Sequence, residues 1–262
     1  MIKLSDRLLA IAGRLENSKT MADIGTDHGL LPLYLAAEKG FEKVIMTDIS
    51  AASLSKASEN LEKLCEKGAL TGKTYTRAGD GLKVLEPGEV DAVVIAGMGG
   101  KLMTNILGSD PQHARSFGKL VLQPRSGQGH IRKWLYENGF SITCEDLVRE
   151  GKYICEIITA VTRERSNTES GSDIMSFPPE LEETAASSDG EHMIWKVPPW
   201  MTEADGPARE FIERRITKSK EILEHVMLAG ERDEEAESRI CEDIYYLKGL
   251  LKEMKNEKNE TL

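Results

Sequence analysis

Four short segments in the first hundred residues put acids and glycines where apolar runs stop. The first, DIGTDHG (Asp23–Gly29), closes an apolar run with an aspartate, a glycine, a second aspartate beside a histidine, and another glycine. The second is Asp48, nineteen residues after Gly29, at the end of KVIMTD. GDG (Gly79–Gly81) and AGMGG (Ala96–Gly100) are the third and fourth. A turn from strand to helix needs one glycine and one cap, and acids on both sides of the glycine exceed that need.

The spacing in the first segment selects the ligand it suits. Dinucleotide folds carry G-x-G-x-x-G there, so that backbone N–H groups approach a diphosphate. Here Gly25 and Gly29 enclose Asp27. A carboxylate at that point repels a diphosphate and suits a ligand with a cationic centre. S-adenosyl-L-methionine carries a sulfonium and an α-ammonium and has no phosphate, and it is the cofactor these residues predict. Asp23, Gly25 and Asp27 then belong to its site. Asp48 is placed to accept hydrogen bonds from both ribose hydroxyls, because Ser50 fills the cap of the next helix, and Ile49 beside it joins the contact. Asp80 is placed to take the adenine amino group while Gly79 and Gly81 let a flat ring lie close; a plain turn is the other reading of GDG. In Ala96, Gly97 and Met98, continued by Gly99 and Gly100, three glycines in four residues imply close backbone approach to a ligand.

Those segments need elements to hold them. Thr20–Gly25, Lys43–Asp48, Tyr75–Ala78, Asp91–Ala96 and Lys119–Gln123 read as strands. Leu31–Lys39, Ser50–Lys67, Lys101–Leu107 and His130–Asn138 read as the helices between and after them, and Ser5 caps a first helix with Leu4, Leu8 and Leu15 on one face. Phe140–Val148 and Tyr153–Val161 form an antiparallel hairpin around REGK. Alternating strands and helices predict an α/β fold: a Rossmann-like parallel sheet of the class I methyltransferase type with a closing antiparallel edge strand, and ligands at the strand ends. This domain spans residues 1–161. Residues 162–206 form a polar insertion or linker, with Arg163–Gly190 rich in Ser, Thr, Glu and Asp and expected to be an exposed loop. Residues 207–262 form an antiparallel helical hairpin of coiled-coil character. Its seams are Ile212, Ile216, Leu223 and Val226, then Ile240, Ile244, Leu247, Leu251 and Met254, around a turn at Gly230–Glu235. The two helices are expected to pack on each other and to be separable from the sheet.

Composition narrows the classes further. Of 262 residues, 40% are hydrophobic, enough for a sizeable core, and no long uncharged apolar run predicts a membrane span. The four cysteines make no C-x-x-C pair and no metal cluster with the five histidines, which predicts free thiols, no metal and a cytoplasmic location. Residues 1–160 balance 20 basic against 20 acidic residues, so the whole net charge of -10 falls in the C-terminal part. That disfavours non-specific nucleic-acid binding but permits a local basic groove. Nothing in the pattern sets an oligomeric state.

DIGTDHGLLP, GDGL, IAGMGG and LQP, in this order and spacing, resemble the bacterial tRNA (adenine-22-N1)-methyltransferase family. LSDRL near the start, KYICEII and the acidic helical C-terminus resemble it too, so the likeness spans nearly the whole chain except the polar insertion. The chain departs from the family in Arg125, where Asn is more usual after LQP, and carries Asp48 where some relatives have Glu. The resemblance implies methyl transfer from S-adenosyl-L-methionine to N1 of an adenine in tRNA, position 22. N1 has an in-plane lone pair, so attack needs no prior deprotonation, but the product ring is cationic. A nearby carboxylate would stabilise that charge and accept a proton from the N6 amino group. Asp27 is the catalytic candidate, with His28 second; alternatively His28 only fixes the turn. Met98, Gly99 and Gly100 would meet the flipped adenine, or Met98 is a core methionine. Arg7, Arg125, Arg132 and Lys133 would meet phosphates, while the first helix and the hairpin flank the cleft and recognise tRNA shape. The competing classes are methyl transfer to another RNA, a small molecule or a protein, and a catalytically silent binding module. A silent module should have lost acids from the strand ends, and none is missing.

Overall fold

The structure, a computed structural model, describes residues 2–70, 72–166, 174–204, 206–228 and 233–260. Its first part runs α1 (Asp6–Arg14), β1 (Thr20–Ile24), α2 (Leu30–Glu38), β2 (Lys43–Asp48), α3 (Ala51–Glu66), β3 (Lys73–Ala78), β4 (Ala92–Gly99), α4 (Gly100–Gly108), α5 (Pro111–Ser116), β5 (Lys119–Ser126) and α6 (Gln128–Glu137). The antiparallel pair β6 (Phe140–Glu150) and β7 (Tyr153–Thr162) follows. The remainder is α7 (Arg163–Ser166), α8 (Pro179–Ser187), α9 (Met193–Lys196), α10 (Ala208–Leu228) and α11 (Glu234–Glu260).

The strands form one sheet in the order β3-β2-β1-β4-β5-β7-β6, parallel except for β7, which runs antiparallel to both neighbours. The order reverses between β1 and β4, so the turns after these two strands diverge to opposite faces and leave a crevice at their C-terminal ends. The strands are near-continuous apolar runs because both faces are covered. Ala22, Ile24, Val93, Ile95, Leu120 and Leu122 face Met103, Leu107, Phe117, Ile131 and Leu135 of α4–α6 and the adjoining turn. The alternate residues Met21, Val44, Val94 and Val121 face Ile11, Leu15, Leu31 and Leu35 of α1, α2 and the turn after α1. Ser5 caps α1, its hydroxyl accepting from Leu8 N, and Ser50 caps α3, accepting from Ser53 N.

Three expectations are corrected here. The segment after β7 was expected to be an exposed polar loop. Residues 167–173 lie outside the described residues, but from Ile174 onward the chain is built into the core: Phe177, Ala185, Ile194, Trp195 and Trp200 are buried in the same cluster as the sheet. Trp195 Nε1 donates to Ala185 O at 3.1 Å, and Phe177 packs edge-on against Trp195 with ring centroids 4.9 Å apart. A few large aromatics outweigh a polar average composition, because each buries so much area. The hairpin helices pair as expected, but they do not stand clear of the sheet domain. Ala208, Phe211, Ile212, Ile216, Leu247 and Leu250 share one cluster with Leu147 of β6 and with Met193, Val197 and Met201. Part of the expected turn, residues 230–232, lies outside the described residues. Arg132, expected on the surface against phosphate, is fully buried. Its Nε donates to Glu145 Oε1 at 2.8 Å and its NH2 to Glu156 Oε2 at 2.6 Å, while NH1 donates to the carbonyls of Trp195 and Lys196.

Candidate active site

A cavity of about 370 Å³ opens at the crevice. Its walls include Arg7 and Leu8 of α1, Asp23 of β1, the turn Gly25–Gly29, and Ala96, Gly97 and Met98 of β4. The turn is pinned from below, because Gly25 N and Thr26 N both donate to Thr47 O at 2.8 Å. Gly25 and Gly97 both have φ +78°, a left-handed conformation that disfavours a side chain. A Cβ on Gly97 would meet no atom within 4 Å, so this glycine faces open cavity.

Asp23, Gly25, Asp27, His28, Ala96, Gly97, Met98 and Arg7, all singled out from the sequence, are thus brought to one cavity. Asp23 sits at its floor, where burial pushes its carboxyl up to about 6; the Thr26 hydroxyl offsets part of that rise and the negative charge of Asp48 adds to it. Asp27 stands exposed at the mouth, with Oδ2 3.4 Å from His28 Nε2 and Oδ1 3.8 Å from Lys56 Nζ. The Met98 side chain packs against Gly25, where an added Cβ would lie 2.0 Å from its methyl carbon, and against the core.

The other predicted residues lie around this cavity rather than in its wall. Asp48 ends β2 beside Gly25, and Gly79 N donates to Asp48 O at 3.1 Å, which joins the second and third strand ends. Asp48 is not left free by the Ser50 cap as expected, since its Oδ1 accepts from Ser50 N at 2.6 Å. Ile49 is 78% exposed, an apolar side chain presented at that edge. Asp80 is paired with Lys83 at 2.5 Å. The GDG glycines have an internal reason for their identity. A Cβ at Gly79 would strike Val84 at 2.1 Å, and one at Gly81 would lie 2.9 Å from Ile106. Gly100 is likewise a packing residue, because a Cβ there would lie 2.1 Å from Gly127 O. Gly99 pairs with Ser126 across the sheet. Arg125 is exposed and lines a separate cleft together with residues of α10 and α11. Lys133 is paired with Glu137 at 2.8 Å and lies over the Trp195 ring.

Three residues of this arrangement were not singled out from the sequence as site residues, although Gln123 lies within the LQP motif. Gln123 is buried with its Oε1 accepting from Arg7 NH1 at 3.1 Å and from Gly97 N at 3.2 Å, so one carboxamide links α1 to the β4 turn. Glu150 takes Arg7 Nε at 2.9 Å. Lys56 reaches Asp27 from α3. All three act across long sequence separations. Among the described residues no group of His, Cys, Asp and Glu is arranged to hold a metal ion, and no helix is long and apolar enough to cross a membrane.

The donor set fits S-adenosyl-L-methionine. Two carboxylates, Asp23 and Asp27, line a cavity that one arginine shares, and Gly97 leaves open the space that a Cβ would fill. Comparison with known proteins agrees. Residues 4–158 match the family model described as a methyltransferase domain. The chain is 35% identical over 164 residues to the tRNA (adenine(22)-N(1))-methyltransferase of Bacillus subtilis, covering 63% of this chain and 67% of that protein. It is similar to the crystal structure of the B. subtilis m1A22 tRNA methyltransferase TrmK, with a TM-score of 0.74 at 25% identity, covering 95% of this chain and 99% of that one. It also shares the fold of Streptococcus pneumoniae Sp1610 in complex with S-adenosyl-L-methionine, with a TM-score of 0.72 at 22% identity over 95% of this chain and all of that one. With a matching domain over more than half its length and that Bacillus relative, the chain belongs to the methyltransferase-domain family and, within it, to the tRNA (adenine(22)-N(1))-methyltransferases.

Proposed function

We propose that the protein transfers a methyl group from S-adenosyl-L-methionine to N1 of an adenine in tRNA, at position 22, and that it works in the cytoplasm where that substrate is found. The observation that carries this reading is the crevice itself: an acid-lined cavity at the strand-order reversal, bordered by the glycine-rich AGMGG segment at the end of β4.

When bound, S-adenosyl-L-methionine supplies an activated methyl group on a sulfonium. The chain's own residues do the rest. Asp23, on the cavity floor, holds the cationic amino-acid end, and Asp48 holds the ribose hydroxyls with the carboxylate oxygen that Ser50 does not use. Gly79–Gly81 and the exposed Ile49 border the adenine end. Gln123, by fixing Arg7 and Gly97 N together, keeps the cavity's far wall in place. Adenine N1 needs no base before it reacts, so alignment supplies much of the rate. Asp27, at the mouth, stabilises the cationic product ring and accepts the N6 proton, with His28 and Lys56 beside it holding the carboxylate in place.

The test is incorporation of labelled methyl groups into unmodified tRNA, followed by mass and position of the modified nucleoside. 1-Methyladenosine at position 22 is the expected product. Methylation of an exocyclic amine, or none with any tRNA, refutes the assignment.

A further inference from the structure

The second cleft lies between the β5–α6 turn and the C-terminal helices. It measures about 510 Å³, and its walls include Arg125, Gly127, Lys196, Arg215 and Lys218. We infer that this cleft is a phosphate site that grips the RNA backbone beside the target nucleotide; the inference rests on the tRNA reading above and adds to it the residues that hold the strand.

Arg215 is the anchor. Its NH2 donates to Glu156 Oε1 at 3.1 Å, and its guanidinium carbon lies 5.0 Å from the centre of the Phe211 ring. Glu156 is buried, and its other oxygen takes the buried Arg132 at 2.6 Å. The guanidinium is therefore oriented by a carboxylate that cannot itself move, and by an aromatic face. These contacts leave further N–H groups of Arg215 for the cleft. A planar fork held in advance loses little freedom on meeting phosphate oxygens.

Two more cations complete the site. Arg125, near the end of β5, and Lys218, one helical turn beyond Arg215 on α10, both line the cleft, are exposed, and make no ion pair with any described residue. The acids of the cleft are mostly spent. Glu156 serves Arg132 and Arg215, and Glu191 is held by Lys196 at 3.0 Å and His130 at 2.6 Å. Asp243 is the exception, and burial pushes its carboxyl above the usual range. Lys218 belongs to the C-terminal part that carries the chain's entire net charge of -10, and Arg125 to the charge-balanced residues 1–160, yet both face one cleft.

Position identifies the partner. Arg125 sits between Pro124 and Ser126, which pair across the sheet with Met98 and Gly99. Met98 also lines the cofactor cavity, so the two hollows share the β4–β5 edge. A nucleotide whose base enters the cavity beside Met98 places its phosphates toward this cleft. An acidic polypeptide has no comparable reason to run between the two.

The experiment compares the full-length protein with the double variant R125A/K218A, two exposed positions whose loss breaks no internal pair. Direct binding of unmodified tRNA is measured across a salt series, with calorimetric titration of S-adenosyl-L-methionine as the check on fold. The expected result is about tenfold weaker tRNA binding, a salt dependence shallower by about one unit of slope per cation removed, and unchanged cofactor affinity. tRNA binding and a salt slope equal to those of the parent overturn the inference. So does a variant that keeps tRNA affinity but loses binding to polyglutamate, because the cleft would then serve an acidic protein. Methylation by the unaltered protein is followed in parallel: if it is absent while the variant still loses tRNA affinity, the position-22 reading fails and the cleft assignment stands.

Discussion

Asp23, Asp27 and Asp48 are three carboxylates in one crevice with three different surroundings, and each predicts a different experiment. Asp48 spends one oxygen on Ser50 N, so Asp48→Ala loses both the proposed ribose contacts and a brace of the turn into α3. Cofactor affinity should fall by about tenfold or more, and Asp48→Asn, which keeps an acceptor for Ser50, should share most of that loss. Calorimetric titration showing undiminished affinity in both would remove Asp48 from the site. Asp27 is exposed and stands at the mouth, so Asp27→Ala should lower the single-turnover rate at saturating cofactor more than it weakens cofactor binding; an unchanged rate would strip it of a chemical role. Asp23 has its carboxyl pushed up to about 6 by burial, from an ordinary value of 3.8. The raised value means the folded protein holds a proton that the unfolded chain has released. Stability without ligand therefore falls as pH rises from about 4 to about 6, by about 1–3 kcal/mol in all. A cationic ligand favours the ionised form, so cofactor affinity should weaken as pH drops below 6, with proton release visible in buffers of different ionisation heat. Pre-bound cofactor affinity that is flat from pH 7 to 5 would contradict this. The acids drew notice in the sequence because they stand where apolar runs stop. Gln123, Glu150 and Lys56 did not, because their roles arise only when α1, α3 and β6 are brought to the same edge.

At the scale of elements, the glycine-rich turns separate into those that serve the ligand and those that serve packing. Gly100 opens α4 with its Cα against the Gly127 backbone, and a Cβ would lie 2.1 Å from that carbonyl oxygen. Gly97 has open space at its Cβ position and only its φ of +78° to protect. Gly100→Ala should therefore cost several times more stability than Gly97→Ala, for which about 1–2 kcal/mol is expected from the left-handed backbone. Gly97→Ala should in turn cost more cofactor affinity per unit of stability lost, because its methyl points into the cavity. Chemical denaturation and ligand titration on the two variants check both halves, and equal losses would undo the distinction. AGMGG in the sequence told of close approach but not of which glycine approached what. β2 and α3, with strong apolar periodicity, lie within a residue of their expected ends, whereas β4 runs three residues past the expected Ala96 into the glycine-rich segment. The short α5, α8 and α9 were missed, since four to nine residues are too few to show a usable period.

On the scale of the whole molecule, the question is whether residues 1–161 stand alone. Their cofactor-type residues are complete, and the sequence suggested that a cut after Val161 would leave a folded domain. The packing argues otherwise. Phe177, Trp195 and Trp200 lie in the main core cluster against the sheet domain. The carbonyls of Trp195 and Lys196 accept from the buried Arg132, and Arg215 supplies a second cation to Glu156. Gly129 and Gly190 are in backbone contact, for a Cβ on Gly129 would lie 2.2 Å from Gly190 O. A cut after Val161 uncovers aromatic-sized hollows on the sheet domain and leaves two buried glutamates sharing one arginine that has lost two carbonyl partners. Losses of about 3–5 kcal/mol for a large buried aromatic, three times over, are as large as the roughly 5–15 kcal/mol by which a domain is stable. A cut after Ala204 keeps those aromatics and removes only α10 and α11, exposing Met193, Val197, Met201 and Leu147. The shorter fragment should fail to fold or aggregate. The longer one should bind S-adenosyl-L-methionine with a lowered melting temperature, and should methylate tRNA far less than the intact chain, having lost Arg215 and Lys218 from the second cleft. Circular dichroism, calorimetric titration and tRNA methylation on the two fragments decide the matter. A fragment ending at Val161 that binds cofactor like the intact chain would show that the aromatic segment covers the core without sustaining it.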